Sequence, residues 1–176
     1  MNNNTEKPDY STLQIFGLTA LRVLIGWHFL YEGLVKVFTP DWTAYWYLSN
    51  SVGPASGIFK MMADNSTILK IVDYLNMWGL VIVGLGLFLG LFARYCKVLG
   101  IMLLFLYYIA YPPFAAFSIE STVVEGNYWV VNKILIEMAA IFVLLLFPSS
   151  HVTGLDMFLL KRKSDNNYET DPTHFY

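Results

Sequence analysis

The sequence holds one cysteine, Cys96, in 176 residues. A dithiol relay, an intramolecular disulfide or a cysteine-ligated iron–sulfur cluster needs more than one thiol, so redox chemistry must use other groups or a partner's centre. Cys96 itself reads as a packing residue near the cytoplasmic surface. Charge is scarce too. Only 14% of the residues are Asp, Glu, Lys or Arg, against about a quarter in soluble domains. The formal net charge is -2, and the one basic run is Lys161, Arg162 and Lys163, so no nucleic-acid partner is implied. No Walker-type loop, GxSxG elbow, HExxH pair or dinucleotide fingerprint occurs, which argues against nucleotide, NAD or FAD binding within this chain. The methionines are scattered, which argues against a soft-metal site.

What is abundant is hydrocarbon. Hydrophobic residues make up 56% of the chain and aromatic ones 17%, with a mean hydropathy of +0.50. This composition predicts an all-α membrane protein of one domain, 1–176, folded as a four-transmembrane-helix bundle. The spans are expected at about 13–38, 74–92, 95–111 and 128–147. A signal peptide is not the expected reading of the first, which is too long and is interrupted by charge. Between the first two spans, Pro40 ends a helix, and Trp42, Tyr45, Trp46 and Tyr47 form an aromatic cluster suited to the headgroup boundary. Residues 39–72 should therefore carry short interfacial helices, with amphipathic pieces near 58–63 and 68–72. Gly86 and Gly90 present a small-xxx-small face on the second span. Residues 151–160 read as an amphipathic end segment and 161–176 as a polar tail. Arg94 and Lys97 in one turn, with Lys161 to Lys163, oppose a loop bearing Glu120 and Glu125. The positive side being inside, both termini should be cytoplasmic and the loops 39–72 and 112–127 external.

The stretch RVLIGWHFLYEGLVKVF, residues 22–38, is the one the chain is organised around. It is apolar enough for a membrane yet contains Arg22, His28, Glu32 and Lys36. With Arg22 at zero, the others fall at about 240°, 280° and 320° around the helix, on roughly one third of its circumference. Charge on one stripe must face protein or water rather than lipid. The last span repeats the pattern with Asn132, Lys133 and Glu137, the last two being neighbours on one face. Glu137 is expected near the midplane, with Glu32 and Lys133 nearer the outside. Asp73 and Asn76 should open the second span at the outer edge, where Tyr107, Tyr108 and Tyr111 end the third.

Two readings of this constellation stay open. One is a buried ion-pair network that fixes which helices neighbour each other. The other is a cavity open to the outer side, where a quinone carbonyl accepts hydrogen bonds from Lys133, His28 or a tyrosine and Glu32 supplies protons. His28 as a haem ligand is disfavoured, because His151 and His174 lie beyond the opposite end of the last span. A solute or proton channel is disfavoured by the apolar inner half of the later spans.

The segment 22–38 followed by PDW, then WGLVIVGLGLFLGLFAR, YPPF and NYWVVNKILIEMAAIFVLLLFP, resembles the DoxX family of small four-helix membrane proteins. The likeness covers about residues 13–156 and looks closest to the branch of quinone-reducing thiosulfate dehydrogenase subunits. The resemblance implies a subunit of a quinone-linked oxidoreductase in the bacterial inner (plasma) membrane, working beside a redox partner or other membrane-complex subunits. Within it, Glu32, Glu137 and His28 are the candidate catalytic residues, and Arg22, Lys36, Asn132 and Lys133 the candidate quinone-binding ones. Quinone is the expected cofactor; no haem, flavin or metal is expected in this chain. The alternative is a non-enzymatic scaffold or anchor that docks a partner protein.

Overall fold

Ser11 and Gln14 set the start of the first helix. The Ser11 hydroxyl accepts from the Gln14 amide at 3.3 Å, and the Gln14 side chain accepts from the Ser11 amide at 2.9 Å. This capping box satisfies two of the amide groups that a helix start leaves without intrahelical partners. The computed structural model of the protein describes residues 10–113, 128–147 and 154–155. Among them are six helices: α1 (Thr12–Phe38), α2 (Tyr45–Ser49), α3 (Ser56–Asp64), α4 (Ser66–Leu89), α5 (Ala93–Ala110) and α6 (Lys133–Leu146). The only β pairing among the described residues is one isolated bridge, Tyr128 with Val131.

Three of these helices, α1, α4 and α5, are long and apolar enough to cross a membrane. The chain is thus an all-helical, multi-pass membrane protein. The helix limits depart from the sequence expectation in two places. Residues 66–73, expected partly as a separate amphipathic piece, are the first two turns of α4. Asn65 caps that helix by accepting from the amides of Thr67 and Ile68, both at 3.1 Å. Asp73 and Asn76 consequently lie well inside α4 rather than at its edge. The last helix is shorter than expected, because residues 128–131 form a turn and Asn132 is the cap, accepting from Leu135 N at 3.0 Å. Its 14 residues span about 21 Å at 1.5 Å each, less than the ~30 Å of a bilayer core. Glu137 therefore sits in the second turn of α6, near one end, and not at its middle. The segments expected at 114–127 and from 156 onward lie outside the described residues.

Helix α1 packs along α4, and α5 packs on both α4 and α6, while α1 and α6 meet over only a short stretch. The α1/α4 contact is close because glycines line it. A Cβ on Gly33 would come within 2.8 Å of the Val81 amide, and one on Gly26 or Gly84 would overlap the backbone of Phe88 or Leu30. The expected Gly86/Gly90 face does not do this work. Gly86 abuts Cys96 on α5, and Gly90 ends α4 in the left-handed region at φ 68°, donating to the Gly86 carbonyl. That conformation is one that only glycine adopts without strain. Phe92, at φ 48°, completes the tight turn into α5.

Two apolar clusters result. The larger joins Ile25, Phe29, Leu80, Val83, Leu87, Cys96, Leu104, Ile141 and Leu144. The smaller joins Ala44, Leu48, Phe59, Ala63 and Ala110, and so seats α2 and α3 against the end of α5. At the far end from α2, two cations are buried: Arg22 is 1% exposed and Lys97 2%. The sequence reading takes Lys97 as marking the turn into the third span, and it lies in the second turn of α5. Its ammonium donates to the Leu144 carbonyl at 2.9 Å, in the last turn of α6, where carbonyls lack intrahelical donors and the helix dipole favours a cation.

Candidate functional site

Between the two apolar clusters lies a cavity of about 510 Å³. All four long elements and the segment leading into α2 contribute to it. Helix α1 supplies His28, Phe29, Glu32 and Lys36, which the helical repeat stacks in one column. Helix α6 supplies Lys133, Ile134 and Glu137 from its first two turns, and α4 and α5 supply Asn76, Leu80, Leu104 and Tyr107. The fifth wall is the segment Trp42 to Tyr47, folded back over the C-terminal end of α1. The Asp73 carboxylate holds that segment by accepting from the Ala44 amide at 2.8 Å.

Two ion pairs occur among the described residues, and both are here. His28 Nδ1 lies 2.7 Å from Glu137 Oε1 and bridges α1 to α6 where those helices otherwise barely touch. Lys36 donates to Glu32 Oε2 at 2.9 Å and to the Glu32 carbonyl at 3.2 Å, and its ammonium lies 5.8 Å from the centre of the Trp42 ring. The expected Lys133–Glu137 neighbours thus separate in role: Glu137 pairs with His28, and Lys133 faces the cavity without an ion pair among the described residues. The His28 and Glu32 side chains are about half exposed, 52% and 50%, whereas Glu137 and Lys36 are 14% and 17%.

A tyrosine ladder braces the α2 wall. Tyr47 donates to the Tyr107 carbonyl at 3.3 Å and Tyr111 to the Tyr47 carbonyl at 2.9 Å, with the Tyr47 and Tyr111 rings 4.7 Å apart. Burial, reinforced by the neighbouring Tyr107 and Tyr111 hydroxyls, pushes the Tyr47 phenol well above its ordinary range. Burial also raises Tyr111. Both therefore keep the proton they donate at neutral pH. Tyr108 ties the turn before α6 to α5 by donating to the Val130 carbonyl at 2.8 Å.

Five of the seven residues singled out from the sequence, His28, Glu32, Lys36, Lys133 and Glu137, line this one cavity. The other two do not. Arg22 lies at the opposite end of the bundle, where a Cβ on Gly90 would meet its guanidinium, and Asn132 is buried as the α6 cap. Trp42, Trp46, Tyr47, Asn76 and Tyr107 are wall residues that the sequence reading did not assign to a site. Asp73, Asn76 and Leu80 do share one helical face, a signal that an earlier start for α4 would have exposed.

A sequence profile of the DoxX family matches residues 17–112, more than half of the chain. This protein belongs to the DoxX family. The matched residues run from α1 to Pro112 and include the His28, Glu32 and Lys36 column and the Trp42 to Tyr47 wall. Lys133 and Glu137 come from beyond the match. No curated protein and no solved structure matches the chain. The cavity of this DoxX protein carries two carboxylates, two ammonium groups and one imidazole, so its formal charge is zero with His28 neutral and +1 with it protonated. Apolar side chains form most of the remaining wall.

Proposed function

We propose that this DoxX protein is the membrane subunit of a quinone-linked oxidoreductase complex, and that its cavity holds the quinone head group. The carrying observation is the convergence of His28, Glu32, Lys36, Lys133 and Glu137 with Trp42, Trp46 and Tyr107 around about 510 Å³, within the size range of small-molecule sites. A quinone fits this lining. Its ring stacks on indole and phenol, its carbonyls accept hydrogen bonds, and it is itself uncharged. When bound, a quinone supplies a two-electron, two-proton couple, the electrons coming from a partner's flavin or haem.

Each side chain then has a task. Lys133, held by no ion pair among the described residues, donates to a carbonyl oxygen. Glu32 and Glu137 pass protons, and His28, at 2.7 Å from Glu137, extends the path toward the cavity mouth. Lys36, which donates to Glu32 at 2.9 Å, orients its carboxylate. In this reading α6 belongs to a fourth span, α2 and α3 lie at the outer interface, both termini are cytoplasmic, and the membrane is the bacterial inner one. A thiosulfate-oxidising complex is one assignment within this class.

A quinone-analogue titration of the purified protein in detergent tests the proposal. Binding should be at least tenfold weaker in Lys133→Met and Glu137→Gln than in the parent protein; undiminished binding in both variants contradicts it. The rival function, a scaffold whose His28–Glu137 pair merely clamps two helices, predicts that His28→Phe combined with Glu137→Leu preserves complex assembly and activity alike.

A further inference from the structure

Two buried polar atoms on the cavity wall, contributed by α4 and α5, lack a well-formed hydrogen bond among the described residues. Asn76 Oδ1 on α4 and Tyr107 Oη on α5 are both buried; the Asn76 amide lies beside the Tyr107 hydroxyl, but neither oxygen makes a hydrogen bond of good geometry to a described residue. Everything else about Tyr107 is committed. Its carbonyl accepts from the Tyr47 hydroxyl at 3.3 Å and from the Tyr111 amide at 3.1 Å, and its ring meets the Tyr47 ring edge-on at 5.9 Å. The phenol is thus fixed in place with its hydroxyl unused. A buried polar atom without a partner is destabilising, and Phe or Leu of the same shape would remove that cost.

We propose that Asn76 and Tyr107, on the α4/α5 wall, form a second polar contact for the ligand besides the α1/α6 one, and that the cavity selects a ring with two oxygens. One oxygen meets Lys133 and His28. The other receives the Tyr107 hydroxyl and, after a turn about its last torsion, the Asn76 amide, which can donate or accept. An oxidised ring accepts from both groups. A reduced ring, whose hydroxyl donates, uses the Asn76 oxygen, so the same pair serves either redox form. This inference rests on the quinone reading and adds residues and a selectivity to it.

The test is calorimetric titration of the full chain in detergent with a short-tailed 1,4-benzoquinone and with a cyclohexenone bearing the same tail, which has one oxygen. Tyr107→Phe and Asn76→Leu should each weaken benzoquinone binding by roughly fivefold to tenfold, the worth of one hydrogen bond. Cyclohexenone binding should change by less than about twofold, because a single oxygen engages the α1/α6 face. The ligand-free variants should unfold at or above the parent's temperature, since they lose atoms that lacked a well-formed hydrogen bond. Unchanged benzoquinone affinity in both variants, with the parent still binding, overturns this inference and leaves the proposed function standing. A fall in unfolding temperature in both variants also overturns it, by showing that the protein already satisfies these atoms. Failure of the parent to bind benzoquinone overturns both.

Discussion

At the scale of single residues, the site is a question of which partner each charge takes. Charged side chains inside apolar runs are conspicuous, so His28, Glu32, Lys36, Lys133 and Glu137 were legible from the sequence. Their pairing was not, because spacing along one helix reports only neighbours on that helix. Glu137 was expected beside Lys133 and is bound by His28, 109 positions away. Removing Glu137 alone should therefore be felt on α1: Glu137→Leu leaves His28 without its partner and should cost on the order of 1 kcal/mol by thermal unfolding, whereas Lys133→Leu should cost less. The aromatic wall was illegible for a different reason, since Trp and Tyr near a span end suit a headgroup boundary and a cavity equally well. Tyr47 and Tyr111 allow a pH prediction. Their folded-state values are raised above 10, so the unfolded chain ionises first. The ladder's stabilisation is then complete below about pH 10 and declines as pH rises through the folded values. Tyr47→Phe should remove part of that alkaline decline, read as the unfolding midpoint against pH.

At the scale of helices, existence and type were read correctly for α1, α4 and α5, and both ends of α1 to within a residue, whereas the starts of α4 and α6 were not. Asn65 and Asn132 decide those two starts by capping, and an asparagine in sequence looks the same whether it caps a helix or sits within it. Asn132→Ala should lower stability by about 1 kcal/mol and loosen the first turn of α6, which carries Lys133. The glycines make a sharper comparison, because sequence spacing could not tell those in contact from those in the open. Gly84 packs against the Leu30 backbone, whereas a Cβ on Gly17 meets nothing within 4 Å. Gly84→Ala should thus cost about 1–3 kcal/mol by forcing α1 from α4, and Gly17→Ala should gain about 0.5–1 kcal/mol from helix propensity. Equal effects of the two substitutions would contradict the close α1/α4 contact.

At the scale of the whole molecule, the bundle is polarised along its axis. One end holds buried Arg22 and Lys97; the other holds the cavity and its two ion pairs. Composition and hydropathy made the membrane class and the lopsided distribution of charge legible. They offered a cavity only as one of two readings and could not give its size, which depends on how α2 folds back and on how little α1 and α6 touch. The measurement that bears most directly on a quinone-holding cavity is photolabelling of the protein in lipid with an azido-quinone, followed by peptide mapping. Labels should fall on residues 28–36, 42–47, 104–107 and 133–137 and should disappear when unlabelled quinone is added in excess. Labels spread over the lipid-exposed faces, such as Leu24, Ile82 and Phe142, and insensitive to competition would contradict it.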